Sequence, residues 1–450
     1  MGKTSAQPST TNDARRVNSF FAGIGGFDLA FETHGFELSF HCENDEFCRS
    51  VLKRNWPAVP SAGDIQQLDA KEIPAADVWT AGFPCQDLSL ARTPHGKRNG
   101  LKGSQSGLFY TFLDLLAIHK PPVVLLENVA GLLNSHKGAD FNALISSLTK
   151  LGYGVAWRVL NARYFGAPQS RPRVFICAWL GSPANAVKAL FEDQIALKPK
   201  NERRGFMAES KCTESGLSVP QVSFCISATS GRHTGLDWAR SYVTYPDAVR
   251  RLTPLECERL QGLPENWTLP DKDYVVPIRG IETNRYHAIG NAVCVPVVQW
   301  VAGRILNVLQ ESESRGSTRK PAVRTRLQRL SETHLSIKSE VQPLLADVKE
   351  PKWQSGGIAH RDCVVTVAVS SSPCTPVASQ LINVIERTKV HERYFLSANA
   401  AQGILRRVDK LGRHLFPPLD AALRKIANPA PTRNEESLEM QECVRELVAL

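Results

Sequence analysis

Three stretches of the chain hold side chains capable of covalent and acid–base chemistry. Gly82-Phe83-Pro84-Cys85-Gln86 follows a short apolar run. Pro84 fixes its own φ and biases Phe83 to extended geometry, which projects Cys85 at the end of a strand. A thiol near a helix start has its thiolate favoured and becomes a nucleophile. The alternative is a small, buried, apolar cysteine. Val123-Val124-Leu125-Leu126 is fully apolar and runs straight into Glu127-Asn128-Val129. A carboxyl group behind a buried strand is costly unless it is used or paired. Glu127 is therefore a candidate acid/base or base-reading group, the alternative being a partner for an arginine or a helix cap. Arg171 and Arg173, in Gln169-Ser170-Arg171-Pro172-Arg173, are two apart and face one way on an extended segment. They could anchor a nucleotide, its phosphate or Glu127, or form a plain surface pair.

Upstream lies a second constellation. Phe21-Ala22-Gly23-Ile24-Gly25-Gly26 sits between a strand pattern and a helix pattern. Glycines there let a ligand approach the backbone at the carboxyl end of a strand, where open α/β sheets bind ligands. Glu43 follows about twenty residues on, where such folds place an acid on ribose hydroxyls. Asp64, in Gly63-Asp64-Ile65, comes one further βα interval along and could accept from an adenine amino group. The turn lacks both the dinucleotide glycine spacing and the Gly-Lys-Ser/Thr of a phosphate loop. The expected ligand is a nucleoside without phosphates, and S-adenosylmethionine fits.

The elements that must position these residues are legible in part. Strand candidates are Asn18-Phe21, Leu38-Cys42, Val78-Ala81, Val123-Leu126 and Val174-Trp179, with helical patterns between them. Phe141, Leu144, Ile145, Leu148 and Leu151 mark one helix face, with Gly152 as its stop. The alternation predicts an α/β fold with a parallel sheet covered on both faces. Residues 1–16 are polar and expected to be disordered. Residues 17–181 and 250–310 then form one domain, the second part ending in an amphipathic helix from Val295 to Leu309. Residues 182–249 lose the rhythm and read as a small irregular domain. Residues 311–360 read as a linker, basic over Arg315, Arg319, Lys320, Arg324, Arg326 and Arg329, and either solvated or a DNA-backbone arm. Residues 361–450 read as a small helical appendage, with Ser397 as a cap and Pro417-Pro418 as a helix start.

A chain of 450 residues with net charge +10 and 42% hydrophobic residues suits a basic globular protein with polyanionic partners. Its eleven cysteines form no Cys-x-x-Cys pair, which points to reduced thiols and to neither a disulfide frame nor a metal site. The most apolar stretch, Ala292 to Leu309, is broken by Pro296, Gln299 and Arg304, so no membrane span is expected. A cytoplasmic location follows.

These stations, in this order, resemble the cytosine-C5 DNA methyltransferase family of bacteria and phages. The likeness runs from Val17 to Leu309. It includes Arg251-Leu252-Thr253-Pro254-Leu255-Glu256-Cys257 and Gly290-Asn291-Ala292-Val293 besides the five motifs above. It implies a Rossmann-like methyltransferase domain with a small target-recognition domain over 182–249. It implies that Cys85 adds to C6 of a cytosine flipped out of double-stranded DNA. Glu127 would hold the ring nitrogen N3 through a protonated carboxyl group. Arg173 and Arg171 would bind the base carbonyl and order the Cys85 loop. Phe21, Gly23, Gly25, Gly26, Glu43, Asp64, Pro84 and Asn291 would form the S-adenosylmethionine pocket. The loop carrying Arg92, Lys97, Arg98 and Lys102 would close over DNA.

The resemblance leaves the enzyme either paired with a cognate restriction endonuclease or solitary, and a monomer is expected. The recognition segment is short, with eight Lys/Arg against seven Asp/Glu over 182–249. The tail is faintly similar to an appendage of some phage-borne members. Two rival readings are an RNA cytosine methyltransferase and an inactive DNA-binding homologue. The Cys-Phe-Thr of the tRNA-modifying branch is absent, and Cys85, Glu127 and Arg173 together argue against loss of catalysis.

Overall fold

The computed structural model describes residues 14–83, 108–193, 208–231, 237–313, 323–334, 341–344, 351–387 and 390–428. Its centre is a ten-stranded sheet. The first half comprises β1 (Arg16–Phe20), β2 (Glu37–Cys42), β3 (Ser61–Ala62), β4 (Val78–Ala81) and β5 (Val123–Val129). These five strands pair in parallel in the order β5-β4-β1-β2-β3. Side chains of one strand alternate between two cores. Val123 and Leu125 join the core on one face, and Val124 and Leu126 the core on the other. This is why the strand reads as an unbroken apolar run. The first core includes α1 (Gly26–Glu32); the second includes α3 (Leu108–His119) and α4 (Ala139–Lys150). α2 (Glu46–Asn55) is capped by Asp45, whose side chain accepts from Cys48 N–H. Gly152, at φ 97°, follows α4 as its spacing predicts.

The expectation of a wholly parallel sheet fails beyond β5. β6 (Tyr153–Asn161) and β7 (Pro172–Leu180) are joined by a short connection and pair antiparallel, and β7 pairs antiparallel with β5. β6 is absent from the strands read in sequence because Arg158 interrupts its pattern. That arginine is nevertheless fully buried. It ion-pairs with Glu192 at 2.7 Å and donates to the carbonyls of Leu190, Ser370 and Ser372.

The domain boundaries also shift. Arg16 opens β1 and Arg15 pairs with Asp77 at 2.9 Å, so order starts before residue 17. α5 (Pro183–Leu190) packs on β6 and β7 and belongs to the main body, not to the irregular segment. That segment contains a separate antiparallel sheet of β8 (Glu209–Lys211), β9 (Ser218–Pro220), β10 (Tyr242–Thr244) and β11 (Val249–Arg251). α6 (Pro254–Gln261) follows, opened by a Thr253/Glu256 capping box. α7 (Glu282–Asn291) and α8 (Val295–Glu313) then return to the main body, where α8 packs on α1 and α5.

Residues 311–360 are not simply a linker. They contain α9 (Val323–His334), β12 (Gln342–Pro343) and β13 (Gly356–His360). β13 pairs along its whole length with β6, and β14 (Cys363–Val367) pairs with β13. The tail therefore extends the central sheet, and Trp353 packs edge-on against Phe141 and Trp157. The chain ends in α10 (Ala398–Lys410), capped by Ser397, and α11 (Pro417–Ala427).

Candidate active site

All five parallel strands deliver their carboxyl ends to one side of the sheet, and the candidate residues that are described lie there. After β1 the chain turns sharply: Phe21 takes φ 50° and Gly23 φ 57°. The Gly23 N–H donates to Glu43 Oε2 and the Asp45 N–H to Glu43 Oε1, both at 2.7 Å. The carboxylate at the end of β2 is thereby fixed to the glycine turn. Burial pushes the Glu43 carboxyl above its ordinary range, against the pull of those two N–H donors. Asp64 accepts from Gln66 N–H at 3.0 Å and opens a short helical turn beyond β3.

Gly25 and Gly26 have a different job from the one expected. Gly25 has φ 79°, and a Cβ on it would lie 2.2 Å from the Trp56 ring. A Cβ on Gly26 would meet Val293 at 2.8 Å. Both are packing glycines that seat α1 against its neighbours, and neither lines the cavity described below.

The second group sits on β5 and β7. Glu127 is buried, and its Oε1 lies 3.1 Å from Arg173 Nε without a hydrogen bond along that line. Burial pushes the Glu127 carboxyl up, and Arg173 followed by Arg171 pulls it back without cancelling the rise. The neighbouring Asn128 donates from Nδ2 to the Phe83 carbonyl at 2.9 Å, tying β5 to the strand end that leads to Pro84 and Cys85.

Arg171 departs from its expected role. It is buried, and it donates to the carbonyls of Ile226, Gly290 and Ala292 at 2.9, 3.1 and 2.7 Å. These bonds clamp α7 and residue 226 to the start of β7. Its buried Nε has no hydrogen-bond partner.

One cavity of about 930 Å³ joins both groups. Phe21, Gly23, Glu43, Asp64, Glu127, Arg171, Arg173 and Asn291 all line it, from motifs spread over most of the matched sequence. Asn44, Asp45, Asn128 and His287 line it too and were not singled out in sequence. Asn128 had a signal, its place inside Glu-Asn-Val; His287 had none. Two cysteines also face the cavity, but burial raises the thiol of Cys42 to about 12 and raises Cys48 well above its ordinary value. Neither is a ready thiolate. Pro84 and Cys85 lie outside the described residues, as do Arg92, Lys97, Arg98 and Lys102 of the proposed closing loop.

The motif at Arg251 is structural. Arg251 donates to the carbonyls of Gly231 and Arg393, while the adjacent Arg250 forms a fully buried bidentate pair with Glu256 at 2.7 and 2.9 Å. Glu256 also accepts from Thr253 N–H and Glu386 N–H. All partners of this buried pair are satisfied, the condition under which burying it is tolerable.

The sequence matches the profile of C-5 cytosine-specific DNA methylases over residues 15–217 and 202–307. It is 33% identical over 311 residues to the Type II methyltransferase M2.BsuMI of Bacillus subtilis, covering 64% of this chain and 74% of that one. It is 31% identical over 321 residues to the Type II methyltransferase M.Bsp6I of a Bacillus species, covering 64% and 98%. The crystal structure of the S. pombe Dnmt2 methyltransferase aligns with 66% of this chain and 99% of its own at 19% identity and a TM-score of 0.48. With the motifs in order, and with six of the seven reaching one cavity through described residues, the chain belongs to the C-5 cytosine-specific DNA methylase family.

Proposed function

We propose that Glu127, Arg173 and Cys85 form the reacting centre of this DNA cytosine-C5 methyltransferase, beside a seat for S-adenosylmethionine built by Phe21, Gly23, Glu43, Asp64 and Asn291. The observation that carries the reading is the single cavity in which the Glu43 pocket and the Glu127–Arg173 pair meet. The donor set suits the cofactor. Glu43 would accept from ribose hydroxyls and Asp64 from an adenine amino group, and the carboxylates of Glu43, Asp45, Glu46 and Asp64 that line the cavity would favour a cationic sulfonium. When bound, S-adenosylmethionine supplies an electrophilic methyl group.

The chain's own residues do the rest. A target cytosine leaves the duplex and enters the Glu127 end of the cavity. The raised Glu127 carboxyl keeps its proton and donates it in a hydrogen bond to N3. Arg173, beside Glu127, binds the base carbonyl. The Cys85 thiolate adds to C6, and the electron pair moves to C5, which becomes the nucleophile. C5 would take the methyl as the methyl–sulfur bond breaks and leaves a neutral thioether; the C5 proton then passes to water, the C5–C6 double bond re-forms and the Cys85 thiolate departs. M2.BsuMI and M.Bsp6I are named Type II methyltransferases, and on this reading the chain acts either beside a cognate endonuclease or as a solitary methylase.

Bisulfite sequencing of DNA from cells expressing the chain tests the proposal. Protection of cytosines in one sequence context is expected, and it should vanish with Cys85→Ala while S-adenosylmethionine binding persists. Full protection by the Cys85→Ala protein would falsify the assignment of the nucleophile.

A further inference from the structure

The small sheet and the two last helices form one unit. Tyr242 of β10 and Val249 of β11 share a core with Ala401, Ile404 and Leu405 of α10 and with Leu419 and Leu423 of α11. The chain reaches that core along the same sheet: Leu381 N–H donates to the Gln221 carbonyl and Leu396 N–H to the Val249 carbonyl, each at 2.8 Å. The described part of the segment between β7 and α6 is thus covered by residues from the far end of the chain. The module that flanks the cavity is larger than the short central segment alone.

This unit carries a basic turn. Arg406 and Lys410 lie on one face of α10 at i, i+4 spacing, both exposed. Leu411, Gly412, Arg413 and His414 are all exposed where α10 gives way to α11. The Arg413 guanidinium stacks over the Trp238 ring at 4.6 Å. Asp409 is the one carboxylate between Arg406 and His414. Further along, Arg424 is neutralised by Asp420 and Lys425 pairs with Asp247. Arg406 and Lys410 form no ion pair among the described residues.

The turn is linked to the cavity by contacts. Trp238, beneath Arg413, is two residues from Arg240, which donates to the Thr229 carbonyl at 2.7 Å. The adjoining Ser227-Ala228 backbone packs so tightly on Gly290 that a Cβ there would lie 2.2 Å away, and Gly290 lines the cavity. Positive charge on a module whose contacts reach the wall of the cavity suits a phosphate backbone.

We propose that the α10–α11 turn, through Arg406, Lys410 and Arg413, contacts the phosphate backbone of DNA flanking the target cytosine, so that the C-terminal segment is part of the DNA-binding module. This rests on the DNA methyltransferase reading above. The test uses the full chain, with Arg406→Ala, Lys410→Ala and Arg413→Ala combined, and methyl transfer to a duplex measured over a range of salt. The KM for DNA should rise about tenfold or more, and the slope of log affinity against log salt should shrink by about 2 to 3. The set of methylated cytosines should stay the same, because backbone contacts carry no sequence information. S-adenosylmethionine affinity and melting temperature serve as the folding control, with Arg406→Glu as a single-site variant should the triple one fail to fold. An unchanged KM and salt slope in a folded variant overturns the proposal, provided the unmodified chain methylates DNA. Failure of the unmodified chain to do so refutes the underlying reading instead.

Discussion

Arg173 Nε stands 3.1 Å from Glu127 Oε1, the two side chains on neighbouring antiparallel strands. Val129 is the direct partner of Arg173 in the β5–β7 register, so Glu127 is its diagonal neighbour on the same face. The arginine is close enough to pull the carboxyl pKa down, yet burial still holds that pKa above the ordinary range. A carboxyl poised this way can stay protonated at the base it is to grip.

Glu127→Gln should therefore cost activity and not fold. Methyl transfer is expected to fall by about a hundredfold or more, with S-adenosylmethionine binding intact by calorimetry. Removing a buried carboxyl that lacks a full set of partners should also hold or raise stability, by about 1 kcal/mol in thermal unfolding. A large loss of stability with little loss of rate would reverse the assignment.

The pH dependence has a definite sign. In the proposed mechanism protonated Glu127 is the working form, so kcat/KM should decline as pH rises through its elevated pKa. Arg173→Ala removes the strongest force lowering that pKa, so the alkaline limb should move to higher pH even as the overall rate drops. Stability runs the same way: Glu127 binds its proton more tightly folded than unfolded, so its contribution falls as pH climbs from the unfolded pKa to the folded one. A limb that moves to lower pH in pH–rate profiles of the variant would contradict this.

Arg171 and Arg173 should separate cleanly. Arg171→Ala strands three carbonyls, of Ile226, Gly290 and Ala292, and should destabilise the protein by about 3 kcal/mol or more. Arg173→Ala should leave the melting temperature nearly unchanged and reduce turnover. Equal effects of the two on melting would show that the clamp is shared.

Gly25→Ala should act through packing. Its Cβ would fall 2.2 Å from Trp56 at a φ of 79°, and about 2 kcal/mol of stability should be lost. Gly23→Ala meets nothing within 4 Å and should cost only the backbone strain, near 1 kcal/mol. Chemical denaturation of the two variants gives the comparison.

Ending the chain at Ser312 should do more than remove an appendage. β13 would no longer cover β6, leaving Trp157 without Trp353 and an unpaired strand edge in solvent. Aggregation or a large drop in melting temperature is expected on expression. A soluble truncate with native melting would show that the sheet is complete without its tail.

Much of the site was legible before any fold was known, because sheet edges impose a regular interval. Each parallel strand ends at the same cavity, so the glycine turn, Glu43, Asp64 and Glu127, which line it, announce themselves by order and spacing. What local sequence could not express was pairing over long distance. Arg158 hid β6, since a charge in a buried strand becomes acceptable only through Glu192 and carbonyls that arrive from residues 190, 370 and 372. β13 looked like linker because its partner lies about 200 residues upstream. The same holds for the roles of single residues. Sequence put Arg171 and Arg173 on one motif as equals. Tertiary contacts made Arg171 a buried clamp on α7 through three carbonyls, while Arg173, which donates to the Pro172 carbonyl and the Cys225 sulfur, turns its Nε toward Glu127, because the partners a guanidinium meets come from segments far apart in sequence.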